Sequence, residues 1–258
     1  MVFADLVLAQ RIETAEAANA RGCTAIRSAA DTLEVGGGCA VFAGADSPLS
    51  HAVGMGLSGP VSGAEIDRLE AFFRGRGGKV SVELCPLADP GMVTALGDRG
   101  YRITEFNNVL VKRVAGTGMV LTPHVRRALP DERDLWSHTV GRGFFDEHEL
   151  TTEEMDVGRA IFAMPGALCY LGSTESGEPA AGAAAAVYAG LMTLFADSTI
   201  ARHRRGGLHR ELIAARLNEA LAQGCDLATA STLPGSGSQR NYERLGFEVI
   251  YTRVTLAQ

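Results

Sequence analysis

The chain has 258 residues, 46% of them hydrophobic and 21% charged, which is typical of a globular protein with a real core in one large or two ordinary domains. Its formal net charge of −6 disfavours a dedicated nucleic-acid binder, whose surface is usually basic. No apolar run approaches the ~20 residues that span a bilayer, and no basic segment precedes an apolar one at the start, so we expect a cytoplasmic protein that does not contact membranes.

The first half of the chain alternates short apolar segments with amphipathic ones. The spacing of its apolar residues and a Ser62-x-x-Glu65 capping box predict two strands, a helix, a strand, a short helix and a final strand. These elements are expected at residues 39–43, 51–57, 62–73 and 80–84, in a short helix that ends before Gly100, and at residues 104–112.

The second half follows residues 115–118, Ala-Gly-Thr-Gly, which are typical of a linker. A Thr151-x-x-Glu154 capping box predicts a helix start, and the turn at residues 176–179 is typical of a hairpin. The predicted elements are a helix from about Pro130, a helix from 151, strands at 168–172, 180–188 and 191–196, a helix from Leu208 that ends before Gly224, a strand at 225–230, a further helix, and a strand at 249–256.

The two halves repeat an outline. Gly100-Tyr101 and Gly246-Phe247 both follow a helix and precede a strand, about 146 residues apart. Four matching elements occur in the same order in each half, which favours a duplication over coincidence. We therefore expect two domains, residues 1–116 and residues 117–258.

A turn rich in arginine and glycine, Arg204-Arg205-Gly206-Gly207-Leu208, joins the strand at 191–196 to the following helix. A helix start presents unpaired N–H groups and the positive end of the helix dipole. Glycines let the backbone approach an anion closely, and arginines add charge-assisted hydrogen bonds. This arrangement suits a pyrophosphate. A solvated loop and a nucleic-acid patch over residues 202–210 are the alternatives.

A second motif, Tyr-Glu-Arg-Leu-Gly-Phe, occurs at residues 242–247, and together with the arginine-glycine turn it resembles the motif pair of a known family. Residues 204–209 resemble the Arg/Gln-x-x-Gly-x-Gly/Ala acyl-CoA loop of the GNAT (GCN5-related N-acetyltransferase) superfamily, and residues 242–247 resemble its C-terminal Tyr-Glu-Lys-Leu-Gly-Phe signature. Thr199 matches the residue that closes the family's fourth strand, whereas His209 replaces a small residue. The resemblance is strong over residues 118–258. It implies an α/β fold with a mixed sheet, the element order β-α-α-β-β-β-α-β-α-β, and two such folds in tandem.

The resemblance also implies acetyl-CoA as co-substrate. Its pyrophosphate would lie on the N–H groups of residues 205–209, and its pantetheine arm would pair with the strand backbone near residues 197–199, where the fourth strand parts from the fifth. The cofactor-binding residues so implied are Ser198, Thr199, Arg204, Arg205, Gly206, Gly207, Leu208, His209, Ser236 and Asn241.

Tyr242 matches the tyrosine that acts as general acid on the leaving thiolate in many members of this superfamily. The alternative is a helix tyrosine that packs its ring and bonds its hydroxyl to backbone. The general base stays open, because the family varies its location and an ordinary charged turn explains the acidic segment equally well. The candidates are Asp146, Glu147, His148, Glu149 and Asp197.

The halves differ where chemistry would occur. In place of the arginine-glycine turn, the first half has Ser58-Gly59-Pro60, which carries no arginine and loses an N–H donor at proline. We expect a degenerate first domain with a structural or substrate-shaping role, and one cofactor site in the second.

Five scattered cysteines form no Cys-x-x-Cys pair, and six histidines show no metal-ligand spacing, so we expect reduced thiols and no metal. Most of the thiols suit small apolar positions in strands, and Cys225 as a nucleophile is the alternative. The five are Cys23, Cys39, Cys85, Cys169 and Cys225.

Together these features predict an N-acetyltransferase that moves an acetyl group from acetyl-CoA to an amine on a small molecule, by direct attack. The alternative is an acyl-CoA-binding sensor that lacks turnover. We expect a monomer or a homodimer that does not bind nucleic acid.

Overall fold

The computed structural model describes residues 2–24, 31–145 and 149–258. The α-helices of this part are α1 Leu6–Gly22, α2 Gly63–Arg74, α3 Gly91–Asp98, α4 Arg133–Phe144, α5 Thr152–Ala163, α6 Leu208–Ala222 and α7 Gly237–Arg244, with short 3-10 helices at Pro130–Glu132 and Ala201–His203. The strands are β1 Asp31–Val35, β2 Gly38–Phe42, β3 His51–Val53, β4 Ser81–Leu84, β5 Arg102–Arg113, β6 Val125–Arg127, β7 Leu168–Ser173, β8 Pro179–Tyr188, β9 Leu191–Thr199, β10 Leu227–Thr232 and β11 Glu248–Ala257.

The chain divides into two compact units that interleave in sequence. Unit 1 comprises Met1–Val109, Thr232–Pro234 and Val249–Gln258, and unit 2 comprises Leu110–Ser231 and Gly235–Glu248. Almost all of β11 therefore belongs to unit 1, although β11 follows unit 2 along the chain. The domain boundary at residue 116 stays a prediction from the sequence.

Unit 1 is built on a mixed sheet with strands in the order β1-β2-β3-β4-β11-β5. β3 and β4 are parallel, with Ala52 opposite Val82, and β11 runs antiparallel to β4, with Val254 opposite Leu84. α2 forms the crossover between the two parallel strands. The apolar face of α2 is fully buried, as the sequence periodicity predicts, at Ile66, Leu69 and Phe73.

Unit 1 also contains a buried charge cluster. The guanidinium of Arg253 donates to Glu13 at 2.9 and 3.1 Å and to Glu83 at 2.9 Å, and Glu16 lies 3.9 Å away. Tyr251 donates its hydroxyl to Glu13 at 2.8 Å. Three carboxylates thus surround a single arginine inside this unit.

Unit 2 is built on the strand order β10-β9-β8-β7-β6. β9 and β10 are parallel and α6 connects them, whereas β6 to β9 are antiparallel to one another. The indole of Trp136, on α4, is fully buried and donates to the carbonyl of Tyr170 at 3.1 Å. The chain order from β6 to β11 is the expected β-α-α-β-β-β-α-β-α-β, and each unit has the same parallel strand-helix-strand crossover.

Several local predictions are confirmed. Ser62 with Glu65 and Thr151 with Glu154 form capping boxes at the starts of α2 and α5. β7 and β8 form the expected hairpin, and α6 ends before Gly224, whose φ is +69°. These signals depend on neighbouring residues alone, which is why the sequence shows them.

Other elements differ from the prediction. The strand expected over residues 51–57 ends at Val53, because Gly54 and Gly56 turn the chain with φ of +78° and +76°. α1 and β1 were not predicted. The buried face of α1 is mostly alanine and includes Glu13, so it lacks the large apolar residues that mark an amphipathic helix.

Candidate functional site

A β-bulge near the end of β9 shapes the site in unit 2. Ser198 pairs with Gly182 and Phe195 pairs with Ala184, so two residues of β9 oppose a single residue of β8. One of these two residues is Ala196, which has a left-handed φ of +55°. The bulge changes the direction of the side chains that follow, beginning with Asp197.

The two central parallel strands separate at the same place. β9 pairs with β10 from Leu191 opposite Leu227 to Leu194 opposite Ala230, and no further pairing between the two strands occurs among the described residues. The end of β9, which runs to Thr199, thus has a backbone edge that β10 does not cover. The resemblance implies this separation, and it leaves an edge on which an extended ligand can form hydrogen bonds.

The turn before α6 presents a row of free backbone donors. Arg205 and Gly207 have φ of +71° and +92°, and left-handed residues in such a turn are typical of backbone nests that bind anions. Within the described ranges, no acceptor is found for the N–H groups of residues 205–209. Such amides at a helix N-terminus form a binding site for an anion.

The guanidinium of Arg204 has a structural role. It donates to the carbonyl of Thr199 at 3.1 Å and to the carbonyl of Gly143 at 2.9 Å. It therefore ties the turn to the end of β9 and to α4. Arg205 and Arg210 are exposed and form no ion pair within the part of the chain that the structure describes.

The turn opens on a cavity of about 780 Å³. Among the described residues, five arginines line it, whereas Asp197 contributes the single lining carboxylate. The lining residues are Gly143, Phe144, Asp197, Ser198, Thr199, His203, Arg204, Arg205, Gly207, Leu208, His209, Arg210, Gly237, Ser238, Arg240, Asn241 and Arg244. The excess of positive charge suits a ligand with several negative charges.

Asp197 is the centre of a buried polar network. It accepts a hydrogen bond from the Tyr242 hydroxyl at 2.6 Å and forms an ion pair with the fully buried guanidinium of Arg216. Burial favours a raised pKa for this carboxyl, but Arg216 and His209 outweigh burial and hold the pKa of Asp197 below its ordinary value. The carboxylate is therefore ionised and committed to its neighbours.

His209 lies between this network and the cavity. Its Nε2 is 3.2 Å from Asp197 Oδ1, and its Nδ1 is 3.0 Å from the side-chain amide nitrogen of Asn241. The side chain is 17% exposed and lines the cavity. The residue that departs from the family's loop pattern thus brings an imidazole to the place where the strands separate.

Tyr242 lies on the inner side of the network. The residue is 1% exposed, its ring packs edge-on against Phe247 at 4.9 Å, and it is not part of the cavity lining. Burial and then the Asp197 carboxylate raise the pKa of Tyr242 well above its ordinary value. Its role as general acid stays a prediction, since the hydroxyl faces Asp197 in this structure.

The remaining expected site residues have separate positions. Ser198 donates its hydroxyl to the carbonyl of Val140 at 2.7 Å and is one of the residues that line the cavity. Ser236 caps α7 by accepting from the N–H of Gln239 at 3.1 Å and does not line the cavity, whereas Asn241 does. Of the base candidates besides Asp197, Glu149 is exposed. Asp146, Glu147 and His148 lie outside the described residues.

Sequence reasoning missed two cationic residues of the cavity, Arg240 and Arg244. Arg210 belongs to the expected cationic run of residues 202–210, whereas Arg240 and Arg244 lie one turn apart on α7. The signal for the last two was present, because a serine N-cap followed by arginines at i, i+4 spacing predicts a cationic helix face.

Unit 1 has no comparable turn. At the start of α2, the Glu65 carboxylate accepts from the backbone N–H of Ser62 at 3.1 Å and from that of Gly36 at 3.0 Å. Both hydrogen bonds lower the pKa of Glu65, and the bond from Ser62 has the larger effect. A carboxylate of the chain itself therefore lies beside this helix start, whereas arginines lie at the start of α6 in unit 2.

The thiols lie in the core. All five cysteines are buried and free of disulfides. Burial raises the pKa of Cys23, Cys39 and Cys85 to about 11 and that of Cys169 to about 12, so these four are neutral thiols at pH 7. The described part of the chain has no group of three histidine, cysteine or acidic residues arranged to hold a metal, and no described helix could cross a bilayer.

Comparison with known proteins places the fold. No family model and no curated protein matches the sequence. Among solved structures, a GCN5-related N-acetyltransferase from Kribbella flavida is 23% identical over 97% of this chain and 95% of its own, with a TM-score of 0.70. A tandem GNAT protein from the clavulanic acid biosynthesis pathway is 14% identical over 98% and 93%, with a TM-score of 0.64.

A GCN5-related N-acetyltransferase from Sphaerobacter thermophilus is 16% identical over 89% of this chain and 75% of its own, with a TM-score of 0.60. The chain therefore has the α/β fold of the GCN5-related N-acetyltransferases, and a tandem protein of that fold matches it over nearly its whole length.

Proposed function

We propose that the chain is an acyltransferase that uses acetyl-CoA to acetylate an amine on a small molecule in the cavity of unit 2. The observation that carries this proposal is the row of free amides at residues 205–209, which opens on a cavity rich in unpaired arginines. Such a site fits a pyrophosphate because amides, helix dipole and guanidinium groups all favour an anion there.

The uncovered edge of β9 supports a position for the rest of the cofactor. An extended pantetheine arm carries amides that can pair with the backbone near Ser198 and Thr199, beyond the point where β10 separates. A thioester at the end of that arm would lie near Asp197 and His209. The two anchors would hold the reacting carbonyl in a fixed position for an incoming amine, which is the main advantage a site can give to a direct attack.

Proton transfer is the second requirement, since a lysine-like ammonium has a pKa near ~10.4 and must lose a proton before it attacks. His209 has a titratable side chain that lines the cavity, and Asp197 is in a position to orient its ring. A covalent enzyme intermediate is not part of the proposal, because the cysteines are buried and do not line the cavity.

A second candidate function is an acyl-CoA sensor without turnover. The position of the Tyr242 hydroxyl favours it, because a group that donates to Asp197 from outside the cavity lining is not poised to protonate a leaving thiolate. The two candidates share cofactor binding and differ in chemistry.

Release of free thiol from acetyl-CoA, measured with a panel of amines, amino acids and aminoglycosides, tests the proposal. We expect amine-dependent release by the wild-type chain and none by a folded Arg205→Glu/Arg210→Glu variant. Acetyl-CoA binding without release for any acceptor would favour the sensor. A folded wild-type chain that does not bind acetyl-CoA would contradict both functions.

A further inference from the structure

The cavity has a second cationic wall, formed by α7. Gly237, Ser238, Arg240, Asn241 and Arg244 all line it, so the cavity extends along most of the length of this helix. The first wall is the turn before α6 with its free amides. A ligand that fills the cavity therefore meets two separate anion-binding elements.

The two arginines of α7 have no acidic partner. Arg240 and Arg244 are exposed, and within the described ranges neither forms an ion pair. The one carboxylate on this helix, Glu243, accepts instead from the side chain of Gln239 at 2.7 Å. Like charges one helical turn apart repel each other, so this pair is unfavourable unless an anion lies against it.

Arg202 shows that an exposed arginine close to the turn can have an acidic partner. Arg202, just before the turn, forms an ion pair with Glu178 and does not line the cavity. Four arginines that line the cavity form no ion pair with a described residue, namely Arg205, Arg210, Arg240 and Arg244. The distribution points to an external anion rather than to a generally basic surface, because the chain as a whole carries a net charge of −6.

The start of α7 adds two donors. Ser236 accepts from the N–H of Gln239, and the side-chain oxygen of Gln239 in turn accepts from the N–H of Gly235. In the described part of the chain, the N–H groups of Gly237 and Ser238 have no acceptor, and both residues line the cavity.

CoA has two anionic regions that match these two walls. Its pyrophosphate carries about two negative charges, and the 3′-phosphate on the ribose, a monoester, carries about −1.5 to −2 at pH 7. The turn before α6 suits the pyrophosphate. We propose that Arg240 and Arg244 bind the 3′-phosphate of CoA, so that this site distinguishes CoA from dephospho-CoA. This inference rests on the proposed function.

Calorimetric titration with CoA and with dephospho-CoA tests the inference, because the two ligands differ only in the 3′-phosphate. We expect the wild-type chain to bind CoA at least ~10-fold more tightly, the scale of one or two charge-assisted hydrogen bonds. An Arg240→Met/Arg244→Met variant should bind both ligands as the wild-type chain binds dephospho-CoA. Arg202→Met serves as the matched control and should keep the full preference for CoA.

Equal affinity of the wild-type chain for both ligands would overturn the inference and leave the proposed function intact. A preference for CoA that persists in the double variant would also overturn it. Binding of neither ligand to the folded wild-type chain would instead contradict the proposed function. Both arginines are exposed, and the single variants Arg240→Met and Arg244→Met, each expected to lose part of the preference, provide a second measurement if the double variant does not fold.

Discussion

Tyr242 donates its hydroxyl hydrogen to Asp197, with 2.6 Å between the two oxygens. The same carboxylate is paired with Arg216, which is fully buried, and its other oxygen lies 3.2 Å from the His209 ring. The hydroxyl thus belongs to a network that holds the bulged end of β9 against α6 and α7. This position gives Tyr242 a structural role that can be separated experimentally from catalysis.

Tyr242→Phe removes this hydrogen bond while keeping the ring. Because a hydrogen bond to a charged group contributes about 1.5–3 kcal/mol, we expect the free energy of unfolding to fall by about that amount. Acetyl-CoA affinity should change little, since Tyr242 is not part of the cavity lining. Denaturant unfolding and calorimetry measure the two quantities.

A general-acid role predicts a different result for the same variant. With an active acceptor, kcat should then fall by ~10²-fold or more. Wild-type stability together with such a loss of turnover would contradict the structural role. Lower stability with unchanged kcat would show that Tyr242 has a structural role and is not the general acid.

Asp197→Asn leaves the Arg216 guanidinium buried without its counter-charge. We expect a loss of about 3–5 kcal/mol in the free energy of unfolding at pH 7, the usual result of breaking a buried ion pair. Asp131→Asn, an exposed acid in the same unit, is the matched control and should unfold like the wild-type chain. A loss below about 1 kcal/mol for Asp197→Asn would contradict the network described here.

The pH dependence of the same variant is a further check. The pKa of Asp197 is lowered in the folded state, so its stabilising contribution is present above its unfolded value of ~3.9 and is lost as pH falls through the folded value. The wild-type chain should therefore lose this part of its stability in acid, and Asp197→Asn should not.

Charge reversal at the turn before α6 tests the anion site. Arg205→Glu should weaken acetyl-CoA binding at least ~10-fold, because it replaces a charge-assisted contact with repulsion. Arg113→Glu makes the same charge change at an exposed position outside the cavity lining and should leave the affinity near that of the wild-type chain. Equal affinities of the two variants would remove Arg205 from the site. Arg204 is less suitable for this test, since its guanidinium supports two backbone carbonyls.

Glu16 should make unit 1 sensitive to alkaline pH. Burial raises its pKa to about 7, Arg253 opposes this, and Glu13 and Glu83 add to it. A carboxyl whose pKa is raised in the folded state stabilises the fold fully at pH values below its unfolded pKa of ~4.3. This contribution is lost as the pH rises through the folded pKa of about 7. The wild-type chain should thus become less stable between pH 5 and pH 8, relative to Glu16→Gln.

At pH 8 we expect Glu16→Gln to be more stable than the wild-type chain by about 1 kcal/mol. This is less than the whole pKa shift of Glu16 implies, because the side chain is 24% exposed and solvent screens its charge. Thermal or denaturant unfolding at both pH values measures the difference. A constant difference between the two proteins from pH 5 to pH 8 would show that Glu16 does not titrate in this range.

The sequence supplied the local features of the site. The turn at residues 204–209, the helix that follows it and the capping boxes depend on glycine, arginine and cap residues within a few positions of one another. The element order of unit 2 followed from the same kind of signal. Arg240 and Arg244 are an equally local signal, because the two arginines lie four positions apart on the same short helix.

Long-range partners could not be read in the same way. Arg216 lies between Leu212 and Leu217 on the buried face of α6, where its charge breaks the apolar pattern and is balanced by Asp197, 19 positions earlier. The buried Glu13 of α1 forms an ion pair with Arg253 of β11, which lies 240 positions later in the sequence. Most of β11 therefore packs with unit 1 although it follows unit 2 along the chain. Such contacts are set by packing between distant segments, for which one sequence gives no periodic signal.

We propose that the chain has one acyl-CoA site, in unit 2, because the equivalent helix start in unit 1 has the Glu65 carboxylate beside it and no arginine in its turn. Calorimetric titration of the full chain with acetyl-CoA tests it most directly, carried out on the wild-type chain and on Arg205→Glu/Arg210→Glu. We predict one equivalent bound per wild-type chain and none bound by the folded double variant. Two equivalents per chain, or one equivalent that persists in the double variant, would contradict the account.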